Sequence, residues 1–415
     1  MSRRERTVDV LIIGGGPAGL AAGAELAASG AGRVEILERE QTAGGIPRHC
    51  LRGGFGARGN GAVPGGGGLT GPAYARACVA AAERAGAVLR TGITATGWVG
   101  PLTVDTTAPT GLERITARAV VLATGARERP RSARLVPGSR PPGVYTTGEL
   151  QQAVHLYPQY IGTHAVVIGD EPIGRAATAT LRAAGVDVVA RVTDQPPSAA
   201  SALARTRDRT PLLTRATVTA LTGRERLTGV GLRHEDGRTT TLRCDTVVFT
   251  GDWIPEHELA RRGSAALDPG TRGPAHDTSY RTTVPGVFAV GNLLHGVESA
   301  GVAAAEGRAV AVPVLSHLAA PDWPVARQPL AVDPPLQWIA PNLAGPGAAL
   351  PVNGRFSLWT ARRRHSPRIV VHQGGRVLHR QRLLRVVEPG RPFHLRADWL
   401  DRIDPHGTTV RITMI

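Results

Sequence analysis

The sequence contains no lysine; all 49 of its basic residues are arginine. With 52 Gly and 32 Pro, this is the bias of a GC-rich coding sequence, so residue usage alone discriminates little between functions. Cysteine is scarce as well. Cys50, Cys78 and Cys244 lie far apart and form no Cys-x-x-Cys. That excludes the usual dithiol redox pair and a self-contained four-cysteine zinc or iron–sulfur site, and no metal site is expected. An odd cysteine count in a chain this long points to a reducing compartment. There is no run of about 18 apolar residues to span a membrane. The apolar stretch after Met1-Ser2-Arg3-Arg4 is broken by the glycines of a turn, unlike a signal peptide. The expectation is a cytoplasmic protein with no membrane partner. No helix-turn-helix, RNA-binding or zinc-finger pattern accompanies the formal charge of +16, which therefore reads as a solvated Arg-rich surface and not as a nucleic-acid footprint. What is present is ordinary: 415 residues, 42% apolar and 20% charged, enough for two or three cores.

The first chemistry-bearing pattern stands near the start. Val8 to Ile13 is a β-branched apolar run suited to a strand buried on both faces of a parallel sheet. Gly14-Gly15-Gly16-Pro17-Ala18-Gly19 follows, then an Ala-rich helix, then a second strand, Val34 to Leu37, ending at Glu38. Gly14 permits the tight turn, Gly16 lets the backbone approach a pyrophosphate, and Gly19 lets helix and strand pack closely. The helix N-terminus, with Pro17 and Ala18 in its first turn, offers unpaired N–H groups and partial positive charge to the phosphates. Glu38 stands where a carboxylate would accept hydrogen bonds from the adenosine ribose. Strand, turn, helix and acid together make this a dinucleotide site.

Two further segments extend the pattern. Ala119 to Ala123 is a strand ending in Thr124-Gly125, and Gly286 to Val290 leads into Gly291-Asn292. With these the chain resembles the two-dinucleotide-domain flavoproteins, the superfamily of glutathione and thioredoxin reductases. The resemblance covers about Val8 to Leu318. It implies FAD as cofactor, with Ala123, Thr124 and Gly125 closing the first part of the FAD domain. Asn292 stands where the family usually has Asp, and contact with the ribityl hydroxyls is still expected of its oxygen. Gly301 and Val302 would open a helix whose N-terminus points at the flavin pyrimidine ring. The implied fold is α/β: a discontinuous FAD-binding Rossmann-like domain (1–145 and 248–325), an inserted second, NAD-type Rossmann-like domain (146–247), a linker (326–350) and a small C-terminal β-rich domain (351–415).

The inserted unit repeats the turn with a fault. His164 to Ile168 leads into Gly169-Asp170-Glu171-Pro172-Ile173-Gly174, so Glu171 occupies the second glycine position. That position requires a missing side chain and tolerates no negative charge. Asp170 adds a neighbouring carboxylate. NAD(P) binding is therefore not expected. A shifted loop in which Arg175 or Arg191 recovers a phosphate contact is the competing reading.

Candidates near the flavin lie in Gly44-Gly45-Ile46-Pro47-Arg48-His49-Cys50. By resemblance this loop crosses the pyrophosphate towards the isoalloxazine, with Gly45 as a cofactor contact. Cys50 has no local disulfide partner; it either touches the flavin or is a buried structural thiol. His49 is a candidate proton donor and Arg48 a candidate partner for an anionic flavin or substrate; both are equally placed to be solvated loop residues. The Gly-rich loop 51–70 has the length of a functional or mobile segment.

The set GGIPRHC, LTGPAYA, TTGELQQ, TGDWIPEHELA and AVGNLLHG narrows the resemblance to flavoprotein subunits of opine oxidases, hydrogen cyanide synthase and sarcosine oxidase α. Such subunits imply a small-molecule substrate, a second flavoprotein subunit and a small iron–sulfur protein. Here no Cys follows Cys244, so any cluster would sit on another chain. The Arg-rich C-terminal region, with a hairpin at Gly374-Gly375, reads as a solvated β domain or a docking face for an acidic partner. The rival readings are a stand-alone NAD(P)H-dependent flavin reductase and a non-catalytic FAD-containing scaffold.

Overall fold

The computed structural model describes residues 3–56, 68–197, 210–324, 327–344 and 349–415. Most of the Gly-rich loop (57–67) and part of the expected linker (326 and 345–348) lie outside the described residues. The chain divides into two compact units, Met1–Ala126 with Pro255–Ile415, and Arg127–Ile254.

The first unit is built on a seven-stranded sheet. Its parallel half runs Val88–Thr91, Val34–Glu38, Arg4–Ile13, Gly111–Leu122, with Val287–Ala289 also pairing on Gly111–Leu122. The interior strands read as unbroken apolar runs because helices or loops cover both faces, and Val10, Leu11, Ile12, Val120 and Val121 are buried. The first half of Gly111–Leu122 turns back instead into an antiparallel meander with Thr103–Ala108 and Thr94–Gly100. Helices Pro17–Ala28, Gly71–Arg84, Ala300–Ala309 and Ala311–Ala319 complete this half. Several arginines act within the fold. Arg6, Arg33 and Arg90 all pair with the fully buried Glu35, at 2.9, 2.6 and 3.3 Å.

The stretch read as a linker is largely structured. Gln328–Val332, Leu336–Ala340 and Leu343–Ala344 are strands. Two of them join Val410–Met414, Arg368–Gln373 and Arg376–Arg382 in a five-stranded sheet; Leu336–Ala340 pairs with Arg355–Thr360 and, through it, Phe393–Arg396. Pro334, Pro335 and Pro341 fall between these short strands, where no ladder hydrogen bond is lost, and Pro329 stands second in Gln328–Val332, opposite Leu343. The Gly374-Gly375 hairpin is present, with Gln373 opposite Arg376. Phe356, Phe393 and Trp399 fill this second core. It is tied to the nucleotide-binding half by Leu343, whose N–H donates to the His276 carbonyl at 3.0 Å.

The second unit carries a five-stranded parallel sheet in the order Leu212–Leu213, Asp187–Val192, His164–Ile168, Thr246–Phe249, Val144–Thr146. An antiparallel sheet of Ala216–Gly223, Leu227–His234 and Thr239–Arg243 joins it. The unit runs from Arg127 to Ile254, wider at both ends than the expected 146–247: Val144–Thr146 is an edge strand of its sheet, and Glu128 bonds the Gly148 and Gly251 N–H groups. Helix Thr147–His155 starts in a capping box between Thr146 and Glu149. No helix among the described residues is long and apolar enough to cross a membrane.

Candidate functional site

The first glycine turn has the geometry its residues require. Gly14 sits at φ +115°, and a Cβ there would lie 2.3 Å from the Ala123 carbonyl oxygen. A Cβ on Gly19 would lie 1.9 Å from the Gly14 carbonyl oxygen. Gly16 differs: the nearest atom to its absent Cβ is the Gly45 Cα, at 3.9 Å. Gly14 and Gly19 are thus fixed by packing inside the protein, while Gly16 opens onto free space of the kind a pyrophosphate needs. Helix Pro17–Ala28 starts at this opening, with no side chain capping its first N–H groups. The buried Glu38 carboxylate accepts from the Gly15 N–H at 3.0 Å and the Glu40 N–H at 2.9 Å, so it braces the turn. These features fit the FAD dinucleotide: a glycine cradle, free helix-end donors and an acid at the second strand.

Three further segments converge on this turn. The Gly44 N–H donates to the Gly15 carbonyl at 2.7 Å, and a Cβ on Gly45 would stand 3.0 Å from the Gly16 Cα, so the 44–45 loop lies over the turn. Ile46–His49 is a short 3-10 turn with His49 buried and Arg48 half-buried. Cys50 is half-buried, and its carbonyl accepts from the Gly71 N–H at 3.0 Å. Thr124 donates its hydroxyl to the Glu256 carbonyl at 2.8 Å. Gly291 adopts φ +73° beside Ala18, whose Cβ would be 2.8 Å from a Cβ there.

The Gly291-Asn292 segment holds a network that the sequence alone did not single out. Asn292 bonds Glu298 through both ends of its side-chain amide: Oδ1 accepts from the Glu298 N–H at 3.0 Å and Nδ2 donates to the Glu298 carbonyl at 3.3 Å. A carboxylate could not make the second bond, which accounts physically for Asn where the resembling family usually has Asp. Glu306, on helix Ala300–Ala309, accepts from the Gly291 N–H at 3.0 Å and from His295 Nε2 at 2.8 Å. Burial opposes charge on His295, but the Glu306 charge and hydrogen bond, with Glu298, hold its pKa above the ordinary value. Ser299 caps the helix, its hydroxyl accepting from the Val302 N–H at 3.3 Å, with Gly301 in the same first turn. Gly307 lies against helix Pro17–Ala28, where a Cβ would come within 2.1 Å of the Ala18 carbonyl oxygen. The available signal was a lone Glu in an otherwise small-residue helix, followed by Gly.

The second turn, Gly169 to Gly174, keeps the backbone form and is filled by acid. Gly169 has φ +138°, and helix Pro172–Ala183 starts behind it. The Glu171 carboxylate folds over the turn: its oxygens lie 2.7 Å from where a Cβ of Gly169 would be, and Oε1 lies 2.6 Å from that of Gly251. Thr250 donates its hydroxyl to Glu171 Oε1 at 2.6 Å. This crevice, at the carboxyl ends of the strands His164–Ile168 and Thr246–Phe249, is where a doubly wound sheet takes its ligand. The two rescuing arginines are engaged otherwise. Arg191 is fully buried and pairs with Asp170 at 2.9 Å, and Arg175 donates to the Asp170 carbonyl at 2.8 Å.

Beside Glu171 stands a second buried carboxyl, Glu128, which accepts from the Gly251 N–H at 3.1 Å and the Gly148 N–H at 3.0 Å. Burial is the largest influence on its pKa; backbone and Thr147 hydrogen bonds oppose it and the Glu171 charge adds to it, leaving the group raised to about 7 from 4.5. A carboxyl with a raised folded-state pKa favours the native state at low pH and loses that contribution as pH rises from the unfolded to the folded value. Stability of this unit should therefore fall by on the order of 3 kcal/mol between about pH 4.5 and 7 and level off above. Urea unfolding across that range will show the slope in the native protein and a flatter one in Glu128→Gln; equal slopes would refute the assignment.

Residues 8–307 match the family model described as pyridine nucleotide-disulphide oxidoreductase. The α subunit of sarcosine oxidase from Rhizobium meliloti (strain 1021) is 29% identical over 225 residues, which is 52% of this chain and 21% of that protein. The chain thus matches about a fifth of that relative's length. Among solved structures, thioredoxin reductase of T. acidophilum superposes with a TM-score of 0.61 at 24% identity, covering 75% of this chain and 98% of that one. Bacillithiol disulfide reductase from Bacillus cereus gives 0.61 at 20% identity, over 75% and 100%. L-proline dehydrogenase from P. horikoshii gives 0.57 at 19% identity, over 77% of this chain and 57% of that one. At these identities the likeness to the solved structures is one of fold. The family match over most of the chain and the intact first turn agree: this chain belongs to the pyridine nucleotide-disulphide oxidoreductase family, as an FAD-dependent oxidoreductase.

Proposed function

We propose that this chain is the electron-relaying flavoprotein subunit of a multi-subunit amine, amino-acid or opine-type dehydrogenase or oxidase. The observation that carries the reading is the contrast between the two turns. The first leaves Gly16 facing open space, while the second is occupied by Glu171 hydrogen-bonded to Thr250. When bound, FAD supplies a two-electron acceptor that also exchanges single electrons. A protein with that cofactor and a closed nicotinamide site takes its electrons from a small substrate or a partner flavin. The likeness to a sarcosine oxidase α subunit supports assembly with other chains.

One feature fits the partners. The hairpin Arg368–Gln373/Arg376–Arg382 and its surroundings carry Arg362, Arg364, Arg368, Arg376, Arg380, Arg382 and Arg385, all exposed and in no ion pair among the described residues. Such a face suits an acidic protein. In this reading Arg48 steadies an anionic flavin or substrate, His49 is the candidate proton donor, and Cys50 is a thiol beside them.

The test is recovery of the assembly. A tagged full-length chain purified gently from its native cell is expected to bring down a second flavoprotein and a small iron–sulfur protein in defined stoichiometry. Purification as a flavin-loaded homogeneous chain that reacts with substrate unaided would overturn the subunit assignment.

A further inference from the structure

A cavity is enclosed by the helix Ala300–Ala309, the segment from His276 to His295 and the strands of the C-terminal sheets. Its volume is about 240 Å³, and its walls include His276, His295, Glu306, Arg355, Ser357 and His394. No residue of either glycine turn lines it, and at this size, below the usual ~300–1,000 Å³ of ligand pockets, it suits a molecule of a few heavy atoms.

The wall is chemically built. Buried acids are each matched by a histidine: Glu306 with His295 at 2.8 Å, and Glu298 with His394 at 3.3 Å, the latter carboxylate also accepting from the Ser357 hydroxyl at 2.9 Å. Burial opposes ionisation of Glu298, but the His394 hydrogen bond and nearby His charges outweigh it and hold its pKa below the ordinary value. His276 is almost fully buried, and burial pulls its pKa down to about 3, so the ring is neutral. Its Nδ1 stands 3.1 Å from the Pro274 carbonyl, which can only accept. The proton is therefore on Nδ1, and Nε2 carries a lone pair able to receive a donor. The Tyr280 hydroxyl stays protonated, burial raising its pKa well above the ordinary value. Arg355 lines the cavity, is exposed, and makes no ion pair among the described residues. Each acid is paired with a histidine in place, which leaves the Arg355 guanidinium without an ion pair, the His276 Nε2 as an acceptor and the buried His295 Nδ1 without a hydrogen-bond partner among the described residues.

We propose that this cavity is a binding site for a small monocarboxylate bearing an amino or hydroxyl donor, the carboxylate held by Arg355 and the donor received by His276. The planar guanidinium matches a carboxylate with two parallel hydrogen bonds. Inorganic phosphate has a fork-compatible face too, but its second negative charge would meet the Glu306 carboxylate in the wall. The site is also wired to the cofactor turn. Glu306 bonds both His295 in the cavity wall and the Gly291 N–H, and Val302, in the first turn of the same helix, lines the cavity. Occupancy should therefore register in the flavin absorbance. This inference concerns binding and stands whether or not the relay assignment holds.

Saturation-transfer NMR on the flavin-loaded full chain, with glycine, glycolate, acetate and inorganic phosphate as probes, reads the site directly. Glycine or glycolate should bind saturably, better than acetate, with phosphate a poor competitor. Loss of a charge-assisted bidentate contact should weaken binding by about tenfold or more in Arg355→Ala, with Arg355→Lys intermediate. Arg355 is exposed, so both variants should keep their flavin, which confirms their fold. A difference spectrum of the flavin on adding glycolate gives a second readout. The proposal fails if no carboxylate binds saturably below about 50 mM, a free energy near the weakest specific interaction. It fails equally if Arg355→Ala binds as well as the native chain, or if phosphate binds on equal terms.

Discussion

Gly19→Ala should purify without flavin. The added methyl would stand 1.9 Å from the Gly14 carbonyl oxygen and 3.3 Å from the Ala123 Cβ. The first of these is backbone, inside a turn already held at φ +115° by its own close contact with Ala123. Neither neighbour is a flexible side chain that can swing aside. Helix Pro17–Ala28 must move off the strand that precedes it, and the N–H groups that face the pyrophosphate move with it. Overpacking at such a contact costs about 1–3 kcal/mol. Misaligned charge-assisted hydrogen bonds to phosphate add about 1.5–3 kcal/mol each. Together these weaken FAD retention by at least about a hundredfold. The ratio of visible flavin absorbance to protein absorbance after dialysis measures it. Gly97→Ala is the control: that glycine lies in the strand Thr94–Gly100, with nothing within 4 Å of its absent Cβ, and the variant should stay yellow. A Gly19→Ala protein that kept full flavin would show that the turn does not carry the cofactor.

The legible and the hidden parts of this molecule divide on sequence distance. The first turn could be read because its whole logic lies within about 30 residues: a buried strand, glycines at set spacing, a helix, an acid at the end of the next strand. The same locality exposed Glu171, since one side chain at one position decides the question. Glu128 was invisible. Its partners Gly148 and Gly251 are 20 and 123 residues away, and nothing in its own neighbourhood marks it. Glu306 and His295 lie within 15 residues of Gly291 and were hidden all the same, because no set spacing marks a buried Glu–His pair and its meaning comes from the Gly291 N–H that it meets in the folded chain. The region 328–344 misled for another reason. Its prolines outweighed Leu330, Leu336, Trp338 and Ile339, which are buried strand residues. Short strands interleaved with proline have too few residues for their period of two to show.

The flavin-loaded protein should ignore nicotinamide nucleotides, and a single substitution should change that. In the native chain, anaerobic NADH or NADPH is expected to leave the flavin spectrum unchanged, and calorimetry to detect no binding. A pyrophosphate entering the second turn would have to share it with the Glu171 carboxylate, which stands over both Gly169 and Gly251. At about 4 Å and an effective dielectric near 20, one such pair of charges costs about 4 kcal/mol, roughly a thousandfold in affinity. Glu171→Gly removes the charge and restores the missing side chain that the second position requires, while Gly169 and Gly174 already have the geometry of the first and third. Glu171→Gln keeps the bulk and removes only the charge, so the difference between the two variants separates steric from electrostatic exclusion. Asp170 should be left alone, because it neutralises the fully buried Arg191 at 2.9 Å, and its removal would strand that charge in the core. The expected order of nucleotide affinity is glycine variant, glutamine variant, native chain. Rapid bleaching of the native flavin by micromolar NADH or NADPH would reverse the reading: the carboxylate would then be a displaceable lid on a working site, and the chain a reductase in its own right.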